Sequence, residues 1–368
     1  MKAIITGGGT GGHIYPAISV GNRLKEKGWE LLYIGSENGL ENKIVPENGI
    51  NLETIEVAPL IRKISLQLFK TFYKSSRGYF QSRKIIKKFN PDIVFGTGGF
   101  VAGPVVLAGC MKKVPSLIHE QNVYPGLTNK LLSIFVEKIA LNYEEAVKYF
   151  PLNIEEKSVV TGNPIRKNII KTKKYTGIKK LGLVTYKKTL LVFGGSQGSK
   201  SINEAMYKVC KYYYNSNKLQ IVYITGNKNY KKIKTKLKKK GIDLDKNIKL
   251  KAYLNNMEWA YAAADLVVYR AGATGLSEIT ARGIPAILIP YPYAAGDHQT
   301  YNARNLEKEG AAEVISDDKL NGRILLKKIK KLLGDTSRLK EMRGNSKKLG
   351  IPDATEKIVN LIEEIVEI

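Results

Sequence analysis

The densest set of chemically capable residues lies in positions 270–302, RAGATGLSEITARGIPAILIPYPYAAGDHQTYN. Gly272, Ala273, Thr274 and Gly275 are small, so the backbone can turn sharply there and a ligand can come close to it. Residues 276–282, from Leu276, fit a short helix with Ser277 and Glu278 in its first turns, ended by Gly283 and Pro285. Free N–H groups and the dipole at such a helix start favour an anion. A carboxylate one turn in cannot share a phosphate, but it accepts hydrogen bonds from ribose hydroxyls. Beyond the next apolar run, Asp297, His298, Gln299 and Thr300 sit at a strand's carboxyl end, where open α/β sheets bind ligands. Asp297 and Gln299 offer several hydrogen-bonding groups to a polyol. The stretch suits a nucleotide sugar; an ordinary βαβ unit with a helix-capping acid is the other reading these residues allow.

A second group opens the chain. Gly7-Gly8-Gly9-Thr10-Gly11-Gly12-His13 follows an apolar strand and precedes a helix expected over about 15–27. Gly7, Gly9 and Gly12 satisfy G-x-G-x-x-G in its strand–turn–helix setting, so the loop can hold a phosphate on bare N–H groups. No Gly-Lys-Ser/Thr follows, which excludes a P-loop. Glu37, after the second strand, leaves a dinucleotide reading available. The unperturbed pKa of a histidine lies near neutrality, so His13 is a candidate general base beside that loop, or a residue that lines the turn.

Short apolar runs at 3–6, 31–34, 92–95, 116–118 and 157–160 predict strands of a first α/β series. They end respectively in the glycine loop, Glu37, Gly96-Thr97-Gly98-Gly99-Phe100, His119-Glu120-Gln121-Asn122, and Thr161-Gly162-Asn163-Pro164-Ile165-Arg166. Two glycine turns in one half suit a ligand with its own phosphates, and Arg166 is a candidate phosphate or sugar clamp. The lysine-rich, weakly patterned segment 167–188 is expected to be a linker. A second series follows, with strands at 189–193, 219–224, 249–251, 266–269, 286–289 and 312–315, a basic helix over 228–240, and the phosphate-type loop Gly194-Gly195-Ser196-Gln197-Gly198-Ser199. Asp243-Leu244-Asp245 matches the D-x-D pattern of metal-dependent sugar transferases but lies in a lysine-rich turn, away from any motif-bearing strand end. Asp353 and Glu356 predict a capping box opening an amphipathic final helix with Ile358, Leu361, Ile362, Ile365 and Val366 on its apolar face.

The 368 residues suffice for two α/β domains, and 43% hydrophobic with 25% charged residues is ordinary for a globular protein. Cys110 and Cys210 stand far apart in different halves, which excludes a disulfide framework and fits a reducing compartment. No signal peptide is expected, and the longest apolar stretch, 100–111, is too short to span a bilayer. The formal net charge of +27 attracts polyanions, although many of the lysines lie on solvated helix faces. Its placement is more informative. Between Glu56 and Asp92 there is no acid, and Arg62, Lys63, Lys70, Lys74, Arg77, Arg83, Lys84, Lys87 and Lys88 alternate with Leu60, Phe69, Phe72, Tyr73, Tyr79 and Phe80. Basic and aromatic residues on amphipathic helices favour an anionic membrane surface. No nucleic-acid motif accompanies the charge, so no nucleic-acid partner is expected.

Taken together, GGGTGGHIYPA, GTGGFVAGP, HEQNVYPGLTNK, TGNPIR, GGSQGS, RAGATGLSE and DHQTYNA stand in the order seen in the MurG family, and the resemblance covers nearly the whole chain. That family comprises the UDP-N-acetylglucosamine–N-acetylmuramyl-pentapeptide pyrophosphoryl-undecaprenol N-acetylglucosamine transferases. The resemblance implies a GT-B fold, two Rossmann-like parallel-sheet domains facing a cleft. Residues 1–166 would take the acceptor, lipid I, and meet the membrane; 167–350 would take the donor, UDP-GlcNAc; and 351–368 would return as a helix to the first domain. It implies transfer of GlcNAc to the C4 hydroxyl of the muramyl sugar, with inversion, forming lipid II for peptidoglycan at the cytoplasmic face of the cell membrane. Carried over by position, His13 matches the candidate base, while Thr10, Gly11, Gly12 and Asn122 match donor-contacting residues. Arg166 and Ser196 match diphosphate-side contacts, and Leu254 stands where the family usually has isoleucine by the uracil. Ala273, Thr274, Gly275, Leu276, Ser277 and Glu278 match the nucleotide segment, with Glu278 on the ribose. Gln299 matches the glutamine at the GlcNAc hydroxyls, and Gly98, Gly99 and Phe100 fall on the acceptor side. No cofactor and no obligatory metal are implied. Where the family often carries a tryptophan-bearing membrane patch, Phe69, Phe72, Tyr79 and Phe80 stand in. A transferase with another lipid acceptor would share the second half, and an NAD-dependent oxidoreductase would explain only Gly7, Gly9 and Gly12.

Overall fold

The computed structural model describes residues 1–59, 66–151, 153–195, 197–242, 244 and 246–367, with backbone alone at 66–70 and 72. The chain divides into two compact units, Met1–Ile165 with Ile351–Ile368, and Arg166–Gly350.

The first unit holds β1 (Lys2–Thr6), β2 (Glu30–Ser36), β3 (Asn51–Ile55), β4 (Ile93–Gly96), β5 (Ser116–Glu120), β6 (Lys138–Leu141) and β7 (Ser158–Val160). They form one sheet in the order β3-β2-β1-β4-β5-β6-β7, with every neighbouring pair parallel. The second unit holds β8 (Lys188–Phe193), β9 (Leu219–Ile224), β10 (Ile248–Lys251), β11 (Leu266–Tyr269), β12 (Ala286–Leu288) and β13 (Ala312–Val314), in the parallel order β10-β9-β8-β11-β12-β13. Parallel strands are joined through crossovers that cover both faces, so central strands such as LVVY at β11 are buried along their whole length. Strand order reverses between β1 and β4 and again between β8 and β11, which opens a ligand crevice at the carboxyl edge of each sheet. Both domains are thus the Rossmann-like parallel sheets expected from the sequence.

Several elements differ from expectation. Strands β3 and β6 carry too little signal to stand out: NLETI lies partly exposed beside one neighbour, and KIAL is four residues long. Strand β5 runs on through His119 and Glu120, so both side chains are buried in the sheet rather than presented after it. Segment 167–188 is not a linker. Helices Lys167–Lys171 and Lys174–Lys180 bury Ile169 and Ile178 in the second unit, the latter helix against Met257–Ala263. Lysines occupy their outer faces, which is why the composition looked unstructured.

The final helix, Ala354–Ile365, buries Ile358, Val359, Leu361 and Ile362 in a core shared with Ile14, Ala17 and Ile18 of the helix Gly11–Glu26. The expected capping box does not form: Asp353 makes no cap bond, and Glu356 accepts from Arg23 Nε at 2.9 Å instead. Lys27 Nζ reaches Glu363 at 2.6 Å on the same seam. Among the described residues, no helix is long and apolar enough to cross a membrane.

Candidate active site

In the first unit, the crevice at the ends of β1, β4 and β5 gathers the N-terminal motifs. The first helix starts at Gly11, four residues earlier than expected, which places His13 in its first turn beside the glycine loop. The second loop packs directly on the first. Gly99 has φ +79, and a Cβ there would run into the Gly8 carbonyl oxygen, so this position requires glycine. Thr97 Oγ1 donates to the His13 carbonyl at 2.8 Å, tying the two loops together. His13 Nδ1 lies 2.9 Å from the Thr97 carbonyl and 3.1 Å from Gln121 Oε1. Gly98 stands against the His13 ring, and Phe100 covers Gly9. Thr10 is exposed at the loop tip, while Gly11 and Gly12 are half-buried beneath it.

Glu120 is a buried carboxylate with every contact committed to structure. Its Oε1 accepts from the Asn122 N–H and Nδ2, each at 3.0 Å; its Oε2 accepts from the Gly126 N–H at 3.0 Å and Asn129 Nδ2 at 2.8 Å. It therefore shapes the turn that presents Asn122. His119 donates through Nε2 to the Gly162 carbonyl at 2.9 Å, and burial pushes its pKa down to about 4, so it is neutral at physiological pH.

In the second unit, the crevice lies at the ends of β8, β11 and β12. The helix after β11 begins at Ala273, three residues earlier than expected, so Ala273, Thr274 and Gly275 form its first turn and Glu278 lies in its second. Glu278 is buried and does not stand open: Arg166 Nε and Nη2 donate to its Oε1 at 3.2 and 3.0 Å. Burial alone would lower the Arg166 pKa, and the charge of Glu278 more than offsets this. Burial, followed by the same carboxylate, pushes the Tyr261 phenol well above its ordinary range. Arg166, expected as a diphosphate clamp, is in this structure the counter-ion of the expected ribose acid. Gln299 Oε1 accepts from the Tyr291 N–H at 2.9 Å, which turns its amide N–H₂ to serve as donor. Leu254 is half-buried just past β10, at the edge of the sheet. Ser196 lies outside the described residues, as do Asp243 and Asp245 of the D-x-D pattern.

Arg270 was part of the singled-out stretch, but its role was not legible. Its Nη1 donates to the carbonyls of Ile289 and Pro290 at 3.1 and 3.0 Å and to Asp317 Oδ1 at 2.5 Å, while Nη2 donates to Ser201 at 2.8 Å. One buried guanidinium thus ties the end of β12 to the helix Lys200–Tyr213 that follows the β8 loop. Two of its four partners are backbone carbonyls and all are distant in sequence, so no spacing announces them.

The glycosyltransferase family 28 N-terminal domain matches residues 3–141, and the family's C-terminal domain matches residues 189–358. The UDP-N-acetylglucosamine–N-acetylmuramyl-(pentapeptide) pyrophosphoryl-undecaprenol N-acetylglucosamine transferase of Halothermothrix orenii is 56% identical over 366 residues, 99% of each chain. The protein of that name, numbered 1, from Bacillus cereus is 42% identical over 369 residues and all of each chain. Among solved structures, the Acinetobacter baumannii MurG crystal structure aligns with a TM-score of 0.77 at 27% identity, over 99% of both chains. The S. aureus MnaA–UDP co-structure aligns at 0.71 and 17% identity, over 100% of this chain and 97% of that one, and attests the fold alone. The chain belongs to the family of UDP-N-acetylglucosamine–N-acetylmuramyl-(pentapeptide) pyrophosphoryl-undecaprenol N-acetylglucosamine transferases, within glycosyltransferase family 28.

Proposed function

We propose that the protein transfers GlcNAc from UDP-GlcNAc to the C4 hydroxyl of the muramyl sugar of lipid I, forming lipid II with inversion at the anomeric carbon. The observation that carries this is the 56% identity to a transferase of that name over 99% of both chains, which spans the motif-bearing edges of both sheets. An NAD-dependent oxidoreductase would leave the second unit's motifs without a role.

In a single displacement, the acceptor oxygen bonds to C1, the bond from C1 to the diphosphate breaks, and UDP departs. The acceptor hydroxyl needs a base, and the departing diphosphate needs its charge met. His13 is the base, in a loop crevice whose other members, Gly98, Gly99 and Phe100, take the acceptor side. Thr10, Gly11, Gly12 and Asn122 are the candidate sugar-contacting residues of the first unit's crevice. The second unit takes the nucleotide: Leu254 lies by the uracil, Glu278 receives the ribose, and the helix start at Ala273–Gly275 faces the phosphates. Arg166 exchanges part of its ion pair for the diphosphate, Ser196 is a second candidate contact of that diphosphate, and Gln299 donates to a GlcNAc hydroxyl. Exposed Tyr73, Lys74, Phe80, Arg83, Lys84, Lys87 and Lys88 on the helix Leu66–Phe89 hold the protein on the anionic cytoplasmic face of the membrane, where lipid I resides.

The test is a transfer assay with radiolabelled UDP-GlcNAc and a short-chain lipid I analogue, with and without EDTA. Labelled lipid II formed in EDTA is the expected result. Binding of UDP-GlcNAc without transfer would point to a different lipid acceptor, and loss of transfer in EDTA would refute the metal-independent mechanism.

A further inference from the structure

Two acceptors face one nitrogen of His13. The Thr97 carbonyl oxygen lies 2.9 Å and Gln121 Oε1 3.1 Å from Nδ1, and neither oxygen has a proton to give. The orientation of the Gln121 amide is fixed independently. Its Nε2 lies 2.7 Å from the same Thr97 oxygen and 3.1 Å from His119 Nδ1. Turning the amide over would set oxygen against oxygen at Thr97. His119 fixes the far end: its Nε2 donates to the Gly162 carbonyl at 2.9 Å, so the neutral ring carries its lone pair on Nδ1 and accepts from Gln121. Gly162, His119, Gln121 and His13 therefore admit one consistent placement of protons, and it makes His13 Nδ1 a donor. Gln121 is 2% exposed and His119 0%, so water is a poor substitute for any of these bonds.

We propose that Gln121 is a positioning residue which, together with the Thr97 carbonyl, holds His13 as its Nδ1–H tautomer, so that Nε2 is the nitrogen that takes the proton of the acceptor hydroxyl. The proposal rests on His13 being the base. As transfer proceeds, the O–H bond of the acceptor breaks and the Nε2–H bond forms. The resulting imidazolium keeps its Nδ1–H on the same two acceptors, which meet part of its charge. Both acceptors are neutral, so they orient the ring without placing a negative charge beside it, as a carboxylate partner would. Burial keeps His119 neutral; a protonated His119 would present a donor to Gln121 and reverse the amide.

The chain has three histidines, His13, His119 and His298, so the imidazole nitrogens of the intact enzyme labelled with 15N-histidine form a short spectrum. A His13→Ala sample identifies the His13 signals by their disappearance. The expected result for the wild type at mildly alkaline pH is the Nδ1–H pattern for His13. In Gln121→Met, the expected results are a mixed tautomer pattern and a fall in kcat of at least about tenfold, part of what a general base supplies, with the KM for UDP-GlcNAc little changed. An Nε2–H pattern for wild-type His13 would overturn the geometry. An unchanged pattern with unchanged kcat in Gln121→Met would overturn the role of Gln121. Wild-type turnover by His13→Ala would overturn the base assignment, whatever the tautomer, and so separates that failure from the other two.

Discussion

If His13 is the base and the second unit's crevice takes the nucleotide, as proposed above, removing the His13 imidazole takes away the proton acceptor and leaves that crevice intact. His13→Ala should lower turnover by at least about a hundredfold and leave UDP affinity nearly unchanged in a titration, since general-base loss usually falls on that scale. Turnover at the wild-type rate would remove His13 from the mechanism. Next to it, His119 works by staying neutral. Its pKa is lowered from 6.5 to about 4 by burial, so below 6.5 the unfolded chain binds a proton that the folded chain refuses. The stability held by neutral His119 is complete above the unfolded pKa and is lost as pH falls toward 4. Linkage gives a loss of roughly 2 kcal/mol between about pH 7 and pH 5 from this residue. Urea unfolding of the first unit at the two pH values measures it. His119→Gln should flatten the difference, and an equal difference in both proteins would refute the assignment. Glu120, beside it, offers no comparable lever for chemistry, because both its oxygens are already accepting from the loop they shape.

At the scale of elements, the final helix shows what kind of contact holds the first unit together. Its charged seam, Lys27 with Glu363, is partly exposed, and such pairs contribute at most about 1 kcal/mol. Ile362 is fully buried among Ile14, Ala17 and Ile358, and truncating a buried isoleucine to alanine costs about 2–5 kcal/mol. Ile362→Ala should therefore lower the urea midpoint of the first unit several times more than Lys27→Ala; equal shifts would mean that the helix is held by charge. This helix was legible because its apolar residues repeat at helical spacing, and the central strands were legible because burial on both faces makes them continuously apolar. The loops and the residues within them were legible from glycine spacing. What the sequence did not carry was partnership. Nothing in the spacing of Arg166 and Glu278 shows that they pair, 112 positions apart, or that Glu356 prefers Arg23 to its own helix N-terminus. The same holds for Gln121 and His13. Such bonds depend on which strands become neighbours, and strand order follows from the crossovers rather than from local pattern. Segment 167–188 was misread for a related reason: two short helices with one buried isoleucine each leave too faint a period beneath so many lysines.

For the whole molecule, the formal charge of +27 raises the question of whether the proposed membrane attachment would follow the total or a local arrangement. Tyr73, Arg77, Phe80, Lys84, Lys87 and Lys88 fall at helical spacing on the exposed side of Leu66–Phe89, while Thr71, Gly78, Ser82 and Ile86 are buried on the opposite side. Arg77 is partly neutralised by Glu56 at 2.9 Å, so on the proposed reading the lysines would carry most of the attraction. Each is worth about 1 kcal/mol near an anionic surface. Reversing Lys84, Lys87 and Lys88 to glutamate should then weaken binding to phosphatidylglycerol vesicles by about a hundredfold or more, with little binding to phosphatidylcholine in either protein. The control has the same change in net charge: Lys231, Lys232 and Lys239, exposed on the helix Asn227–Lys239, reversed to glutamate. If the arrangement governs attachment, the control should keep most of its vesicle affinity, and added salt should weaken wild type and control alike, because exposed charges are screened over about 10 Å at moderate ionic strength. Equal losses from the two triple variants would show that total charge, and not the striped helix, holds the protein to the membrane. Transfer to lipid I in vesicles should fall with binding in the first variant, while transfer to a water-soluble acceptor analogue should not, because none of the three lysines lies at the carboxyl edge of either sheet.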